Sequence, residues 1–94
     1  MIDLEQYIIY RVTNFRLRMR LTQGAIGRII NVSPSFVGNI ENMNSPAKYN
    51  LKHLSLLADH YNLNPVYFLI SDADYMKIEP ENNLGILFPG PKYQ

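Results

Sequence analysis

The sequence predicts an all-α protein: a compact bundle of five helices followed by a C-terminal tail or arm. Two observations support this class. Apolar residues recur at helical spacing in the first and fourth predicted helices, and residues that favour helix starts stand directly before the other elements. The chain of 94 residues is long enough for one domain. We expect that domain to occupy residues 1–70 and the extension to occupy residues 71–94.

The first predicted helix carries a stripe of apolar residues within an arc of about 80° at 100° per residue. The stripe consists of Leu4, Ile8, Val12, Phe15 and Met19. An apolar stripe of this width is typical of a helix that packs on a core, so we expect all of its members to be buried.

The stretch Leu21–Asn42 predicts two short helices joined by a tight turn. Thr22 can cap the first helix, and Ser33 can cap the second, with Pro34 at the first helical position. Asn31 stands where a left-handed residue would end the first helix. Two helices joined by a turn of three or four residues form the geometry that places a second helix in the DNA major groove.

Two further helices are expected before residue 71. Asn50 can cap a fourth helix that runs to about Tyr61, and Asn64 with Pro65 can start a short fifth one. The apolar residues of the fourth helix repeat at helical spacing and are predicted to lie in the core: Leu51, Leu54, Leu57, Ala58 and Tyr61.

The C-terminal extension has a different composition. Asp72, Asp74 and two proline-containing segments are expected to interrupt regular structure there. Leu84–Phe88 is nevertheless an apolar run with strand character. It is consistent with a mobile tail, and equally with an arm that packs on its own domain or on a partner subunit.

The central segment resembles the helix-turn-helix of the lambda repressor/Cro-like family, also called the XRE family. The shared pattern is an arginine, a Leu-Thr-Gln string, a small residue, a turn residue, a serine-capped helix and a closing glutamate. Here those residues are Arg16, Leu21, Thr22, Gln23, Gly27, Asn31, Ser33 and Glu41. The resemblance covers about residues 12–70. It implies a sequence-specific regulator of transcription, most simply a repressor, whose helix at about 34–42 reads double-stranded DNA.

The resemblance also assigns roles to single residues. Ser35 and Asn39 are expected to contact bases, and Phe36 either touches a thymine methyl group or lies at the edge of the core. The expected phosphate contacts are Gln23, Asn42, Lys48 and Tyr49, of which the last two could equally be ordinary loop residues. Arg16 and Glu41 are expected to form a structural salt bridge between the first and third helices.

Charge is distributed unevenly along the chain. Residues 6–53 contain seven Lys and Arg residues and one acidic residue, whereas residues 54–94 contain two basic and five acidic residues. The basic part coincides with the predicted helix-turn-helix, as the binding of phosphate would require.

Other chemistry finds little support in the sequence. The absence of cysteine excludes disulfides and Cys-based zinc sites. His53 and His60 are seven residues apart on one helix, too far for a compact metal site. No phosphate-binding loop, nucleophile elbow or kinase pattern is present. We therefore expect neither an enzyme nor a cofactor or metal site, and the lack of a signal peptide or membrane-length apolar run predicts a cytoplasmic location.

Two kinds of partner remain open besides DNA. Ile9 and Leu17 lie outside the core stripe of the first helix, and with the apolar run near the C-terminus they indicate a homodimer. The alternative function is an antitoxin-like or adaptor module that binds another protein on the same fold. Pro34 and the apolar run near the C-terminus favour this alternative, because proline cannot hydrogen-bond a base and the apolar run offers a surface for a protein partner.

Overall fold

The computed structural model describes residues 3–78, and every regular element in that range is helical. The elements are α1 Leu4–Arg18, α2 Gln23–Ile30, α3 Pro34–Glu41, α4 Leu51–His60, a 3₁₀ turn Pro65–Phe68 and α5 Asp72–Ile78. For this part of the chain the all-α prediction is confirmed, although the expected helix at residues 65–70 is a single 3₁₀ turn.

The start signals of α2 and α3 act as predicted. The Thr22 hydroxyl accepts a hydrogen bond from the backbone N–H of Ala25 at 3.0 Å, and the Ser33 hydroxyl accepts one from Phe36 at 3.1 Å. Asn31 ends α2 in the left-handed conformation, with φ 64°. These local bonds satisfy backbone N–H groups that lack partners within the helix, so the two helices and their turn are encoded locally.

The fourth helix begins with a reciprocal capping box. The Asn50 carboxamide oxygen accepts from the backbone N–H of His53 at 2.8 Å, and His53 Nδ1 accepts from the backbone N–H of Asn50 at 3.1 Å. This arrangement needs an unprotonated Nδ1. Burial, and secondarily the charge of Lys52, lower the pKa of His53 and so favour that form.

Every helix and the 3₁₀ turn contribute to the core, and an aromatic cluster lies where α1 meets the residues that follow α4. The Phe15 ring meets the rings of Tyr61, Tyr67 and Phe68 edge-on, with centroids 5.1, 5.8 and 5.5 Å away. Fully or nearly fully buried positions include most of the predicted core: Ile8, Val12, Phe15, Ile26, Ile30, Val37, Ile40, Leu54, Leu57 and Ala58.

The prediction that every residue of the two apolar stripes is buried is wrong at two positions. Leu4 is 57% exposed and Leu51 is 74% exposed. Both stand at the first position of their helix. A helical side chain leans back toward the N-terminus, so at a first position it reaches beyond the helix end and past the neighbouring elements.

The regular structure continues beyond Ile70, contrary to the expectation that Asp72 and Asp74 interrupt it. Both acids lie in the first turn of α5, where carboxylates stabilise the helix dipole. Tyr75 from this helix is fully buried, and its hydroxyl oxygen accepts the backbone N–H of Asn64 at 2.9 Å. The first residues of the predicted extension therefore complete the bundle. The run Leu84–Phe88 lies outside the described residues.

A buried arginine joins α1 to the last two elements. Arg11 is only 6% exposed; its Nε and Nη2 donate to the Tyr67 carbonyl oxygen at 3.2 and 2.7 Å, and its Nη1 donates to Asp72 at 2.8 Å. The guanidinium also stacks 4.3 Å from the Tyr67 ring centroid. Arg18 donates to the other oxygen of Asp72 at 2.9 Å. One carboxylate on α5 thus binds two arginines of α1.

Two glycines of α2 offer a matched pair of substitutions. A Cβ at Gly24 would meet only ordinary contacts, the nearest being Pro34 Cγ at 3.6 Å, whereas a Cβ at Gly27 would stand 2.6 Å from the Val32 carbonyl oxygen. We expect Gly24→Ala to stabilise the protein by about 1 kcal/mol through helix propensity. Gly27→Ala should instead destabilise it by about 1–3 kcal/mol, because backbone must shift.

Thermal or chemical denaturation of the two variants measures this difference. Each variant is the other's control, since both place the same methyl group on the same helix. Equal stabilities would show that the turn after α2 yields without cost.

Candidate nucleic-acid interface

The third helix has one buried face and one polar face. Val37 and Ile40 point into the core and are 0% and 2% exposed. Ser35 and Asn39 are exposed on the other side, and Asn42 is exposed directly after the helix. These hydrogen-bonding side chains, which the sequence indicated as base or phosphate contacts, therefore lie on one accessible surface.

The predicted salt bridge between Arg16 and Glu41 is confirmed. It is bidentate: Arg16 Nε donates to one carboxylate oxygen at 2.8 Å and Nη2 donates to the other at 2.9 Å, while Nη1 donates to the Leu21 carbonyl oxygen at 3.0 Å. The two side chains are only 15% and 11% exposed. The pair joins α1 to the end of α3 and also holds the residue that precedes the α2 cap.

Gln23 belongs to the same network. Its Nε2 donates to the Glu41 carboxylate at 3.0 Å, so the side chain lies across α3. Gly38 makes room for it, since a Cβ there would stand 3.2 Å from the Gln23 carboxamide oxygen. An amide nitrogen carries two N–H groups. A single bond to Glu41 therefore leaves a second N–H, at the N-terminus of α2, for another acceptor.

The remaining predicted phosphate contacts lie in the loop after α3 and differ in their exposure. Asn42 is exposed, and its side-chain oxygen accepts the backbone N–H of Asn44 at 3.0 Å, which shapes the start of the loop. Lys48 is half-buried and makes no ion pair with any residue from 3 to 78.

Tyr49 does not occupy the surface position expected of a phosphate contact. It is 7% exposed, and its buried hydroxyl has no hydrogen-bond partner within the described range. Burial raises the pKa of this phenol above its usual value, and the charge of Glu41 raises it further. The ring belongs to the buried core cluster and meets the His53 ring edge-on, with centroids 6.2 Å apart.

Phe36 follows the second of its two predicted alternatives. The ring is half-buried on α3 and meets His53 of α4 edge-on at 5.7 Å. This places it at the edge of the core between the two helices. The exposed residues of α3 are therefore Pro34, Ser35 and Asn39.

The positive charge available at the surface is smaller than the sequence indicated. Arg11, Arg16 and Arg18 serve internal ion pairs. The basic side chains without an ion pair to any described residue are Arg20, Arg28, Lys48 and Lys52. Glu41 is the only acidic residue between residues 6 and 58, and it is neutralised by Arg16. No unpaired carboxylate of this segment opposes an approaching phosphate.

Residues 3–78 contain neither a cluster of potential metal ligands nor a helix of membrane-spanning character. No three His, Cys, Asp or Glu side chains lie together as potential metal ligands among residues 3–78. None of the helices in that range has the length and apolar character needed to cross a membrane.

Comparison of the chain with protein-family models, with curated proteins and with solved structures gives no match.

Proposed function

We propose that this protein is a sequence-specific DNA-binding regulator of the XRE type, most simply a repressor, which inserts α3 into the major groove. One observation carries the proposal: the exposed face of α3 is polar and uncharged and lies beside the N-terminus of α2. A three-residue turn, Asn31–Ser33, separates the two helices, as in helix-turn-helix proteins.

Asn39 is the main residue that would contact bases. It is exposed in the last two turns of α3 and makes no hydrogen bond to another described side chain. An asparagine amide can bond N6 and N7 of adenine together. Ser35 can donate or accept and so discriminates less. Pro34 offers no hydrogen bond and contributes only shape.

The groups around the two helix N-termini and in the following loop would contact the DNA phosphate backbone. Gln23 at the start of α2 lies against α3 through its bond to Glu41, and its second N–H and the backbone N–H groups beside it would bind phosphate, which helix N-termini favour. Asn42 and Lys48 extend this surface beyond α3. The network of Arg16, Glu41 and Gln23 would hold the reading helix and the phosphate-binding amide in one fixed relation.

A second function is favoured by two observations. Met43, directly after α3, is 92% exposed, and Pro34 occupies the start of the helix. An apolar side chain beside a helix that reads few bases is also typical of an adaptor that binds another protein. Such a module would bind its partner without a steep dependence on salt.

Selection of bound duplexes from random double-stranded DNA tests the proposal directly. We expect enrichment of a palindromic sequence, because two copies of α3 would meet successive major grooves about 34 Å apart. Affinity should fall steeply as salt increases, since each phosphate contact releases counterions. A flat salt response, or no enriched sequence, would contradict the proposal and favour the adaptor.

Asn39→Ala is the sharpest substitution at this surface. The side chain is exposed, so the free energy of unfolding should change by no more than about 0.5 kcal/mol. Affinity for the selected site should fall by about 1–3 kcal/mol, with discrimination relaxed at one base pair. Fluorescence anisotropy on the selected site, on its single-base variants and on scrambled DNA measures both effects.

Ser55→Ala is the matched control, because Ser55 is an exposed polar residue on α4, outside the α2–α3 surface. It should leave both affinities unchanged. If Asn39→Ala bound the selected and scrambled duplexes with wild-type affinities, Asn39 would not read a base.

A further inference from the structure

Gly24 and Arg28 lie four residues apart on α2, at positions to which the family pattern assigns no contact with DNA. Residues at this spacing are neighbours on one face of a helix. The Arg28 side chain folds back along that face, so that its Nη1 atom lies 3.9 Å from the position that a Cβ of Gly24 would occupy. The guanidinium therefore lies over the first turn of α2, above a residue without a side chain.

The start of α3 adjoins the same point on α2. Pro34 Cγ lies 3.6 Å from the position of a Gly24 Cβ, and Pro34 is the first residue of α3. The Arg28 guanidinium thus lies where the beginnings of the two helices meet. In helix-turn-helix complexes the second helix contacts bases with its N-terminal residues, while the first helix crosses the sugar–phosphate backbone. An α3 docked in this way brings the guanidinium to the backbone.

The packing of α2 does not require a glycine at residue 24. A Cβ there would meet only ordinary van der Waals contacts, and glycine weakens a helix relative to almost any other residue except proline. What the glycine does provide is an open surface beside the Arg28 guanidinium. A phosphate group can approach the guanidinium closely on this side, because no side chain stands between Arg28 and Pro34.

The charge of Arg28 is not neutralised by the described part of the chain. The side chain is exposed and forms no ion pair with any residue from 3 to 78. Glu41 is the only acidic residue between residues 6 and 58, and it is bound by Arg16. The other residues that line the cavity beside Arg28 include no acid: Leu21, Ala25, Ile29, His60 and Tyr61. A planar guanidinium can bind two oxygens of one phosphate.

We propose that Arg28 binds a phosphate of the DNA backbone in the opening that Gly24 leaves beside Pro34. This inference rests on the proposed function and deepens it, because it adds a backbone contact at a position outside the family pattern. Phosphate contacts carry no sequence information of their own. The contact therefore strengthens binding to every duplex alike.

Arg28→Ala tests the contact on DNA. Affinity for the selected site and for a scrambled duplex should fall by the same factor, about tenfold, because a hydrogen bond between charged groups is lost. The slope of log affinity against log salt should become shallower by about one. Lys77→Ala is the control, since it removes the same charge from an exposed position on α5; it should change neither quantity. Arg28→Lys should retain part of the affinity, because lysine keeps the charge without the planar fork.

Gly24→Glu and Gly24→Gln test the placement of the guanidinium without DNA. Both variants introduce side chains of the same length, but only the glutamate can pair with Arg28 at this spacing. Gly24→Glu should therefore melt about 2 °C above Gly24→Gln. The difference should shrink when Arg28 is also replaced by alanine, and the part that remains is the effect of a carboxylate on the helix dipole. An unchanged difference would show that the guanidinium does not lie over residue 24 and would overturn the proposal.

Failure of this contact and failure of the proposed function give different results. If Arg28→Ala binds every duplex with the wild-type affinity and salt slope while Asn39→Ala loses affinity, the contact is overturned and the function stands. A loss at Arg28 that is confined to the selected site would identify a base contact and would also overturn the phosphate assignment. A wild type that binds no duplex would overturn both. Circular dichroism melting establishes that each variant is folded.

Discussion

Arg11→Ala should lower the free energy of unfolding by about 3–5 kcal/mol, the cost typical of removing one partner from a buried ion pair. The substitution leaves the Tyr67 carbonyl oxygen without its two donors and removes one of the two arginines that bind Asp72. It also removes the stacking contact on the Tyr67 ring. Urea denaturation followed by circular dichroism measures the loss.

Arg11→Lys separates charge from geometry. Lysine keeps the positive charge but lacks the planar fork that donates to a carbonyl and a carboxylate together. We expect it to recover only part of the lost stability. Arg28→Ala is the control, since Arg28 is exposed and makes no ion pair with a described residue. A loss at Arg11 as small as that at Arg28 would show that the buried network contributes little.

Acid titration provides a second measure of this network. Burial by itself would raise the pKa of Asp72, but the hydrogen bonds from Arg11 and Arg18 outweigh it and hold the pKa below its usual 3.8. The unfolded chain therefore binds the proton more tightly. The stabilisation is complete above pH 3.8 and is lost as the pH falls through the lower pKa of the folded state. In Arg11→Ala this acid-dependent loss should be smaller.

Arg16→Ala should destabilise the fold by about 3 kcal/mol, because the Glu41 side chain, which is 11% exposed in the native protein, loses its bidentate partner. The small remaining exposure lets water offset part of the cost. DNA affinity should fall as well, since the same carboxylate holds Gln23 at the start of α2. Denaturation and DNA titration at a temperature where the variant is folded measure the two effects separately.

A double substitution tells structural loss from lost contact at this bridge. Replacing a buried ion pair by apolar residues of similar size is often neutral or stabilising, so Arg16→Met with Glu41→Leu should recover most of the stability. It should not recover DNA affinity, because Gln23 then loses the acceptor that positions it. An Arg16→Ala protein with an unchanged melting temperature and no DNA affinity would instead identify Arg16 as a direct contact.

The bridge between Arg16 and Glu41 was predictable, but only through resemblance to a known family. Nothing in the spacing of two residues 25 positions apart specifies that they meet. Arg11 carried a usable local signal: it lies one turn from Ile8 and Phe15, at the edge of the apolar stripe of α1. A charged residue beside such a stripe indicates a buried ion pair with a distant carboxylate.

The expectation that regular structure ends at residue 70 fails for a different reason. Asp72 and Asp74 were expected to break regular structure, yet acids in a first turn stabilise a helix. What holds α5 in place is long-range: Asp72 binds α1, and Tyr75 meets the ring of Tyr67 edge-on at 5.3 Å. Composition alone could not distinguish a helix that is packed in this way from a tail.

The sequence by itself determined the local parts of this protein. Side chains that bond the backbone within three residues form the helix caps at Thr22, Ser33 and Asn50. These caps, and the left-handed turn at Asn31, can therefore be predicted from neighbouring residues. Only the tertiary structure decided which polar groups face water. Tyr49 lies in the core and Arg11 in a network with Asp72, because burial depends on how the helices and loops pack against one another, and local patterns do not record that packing.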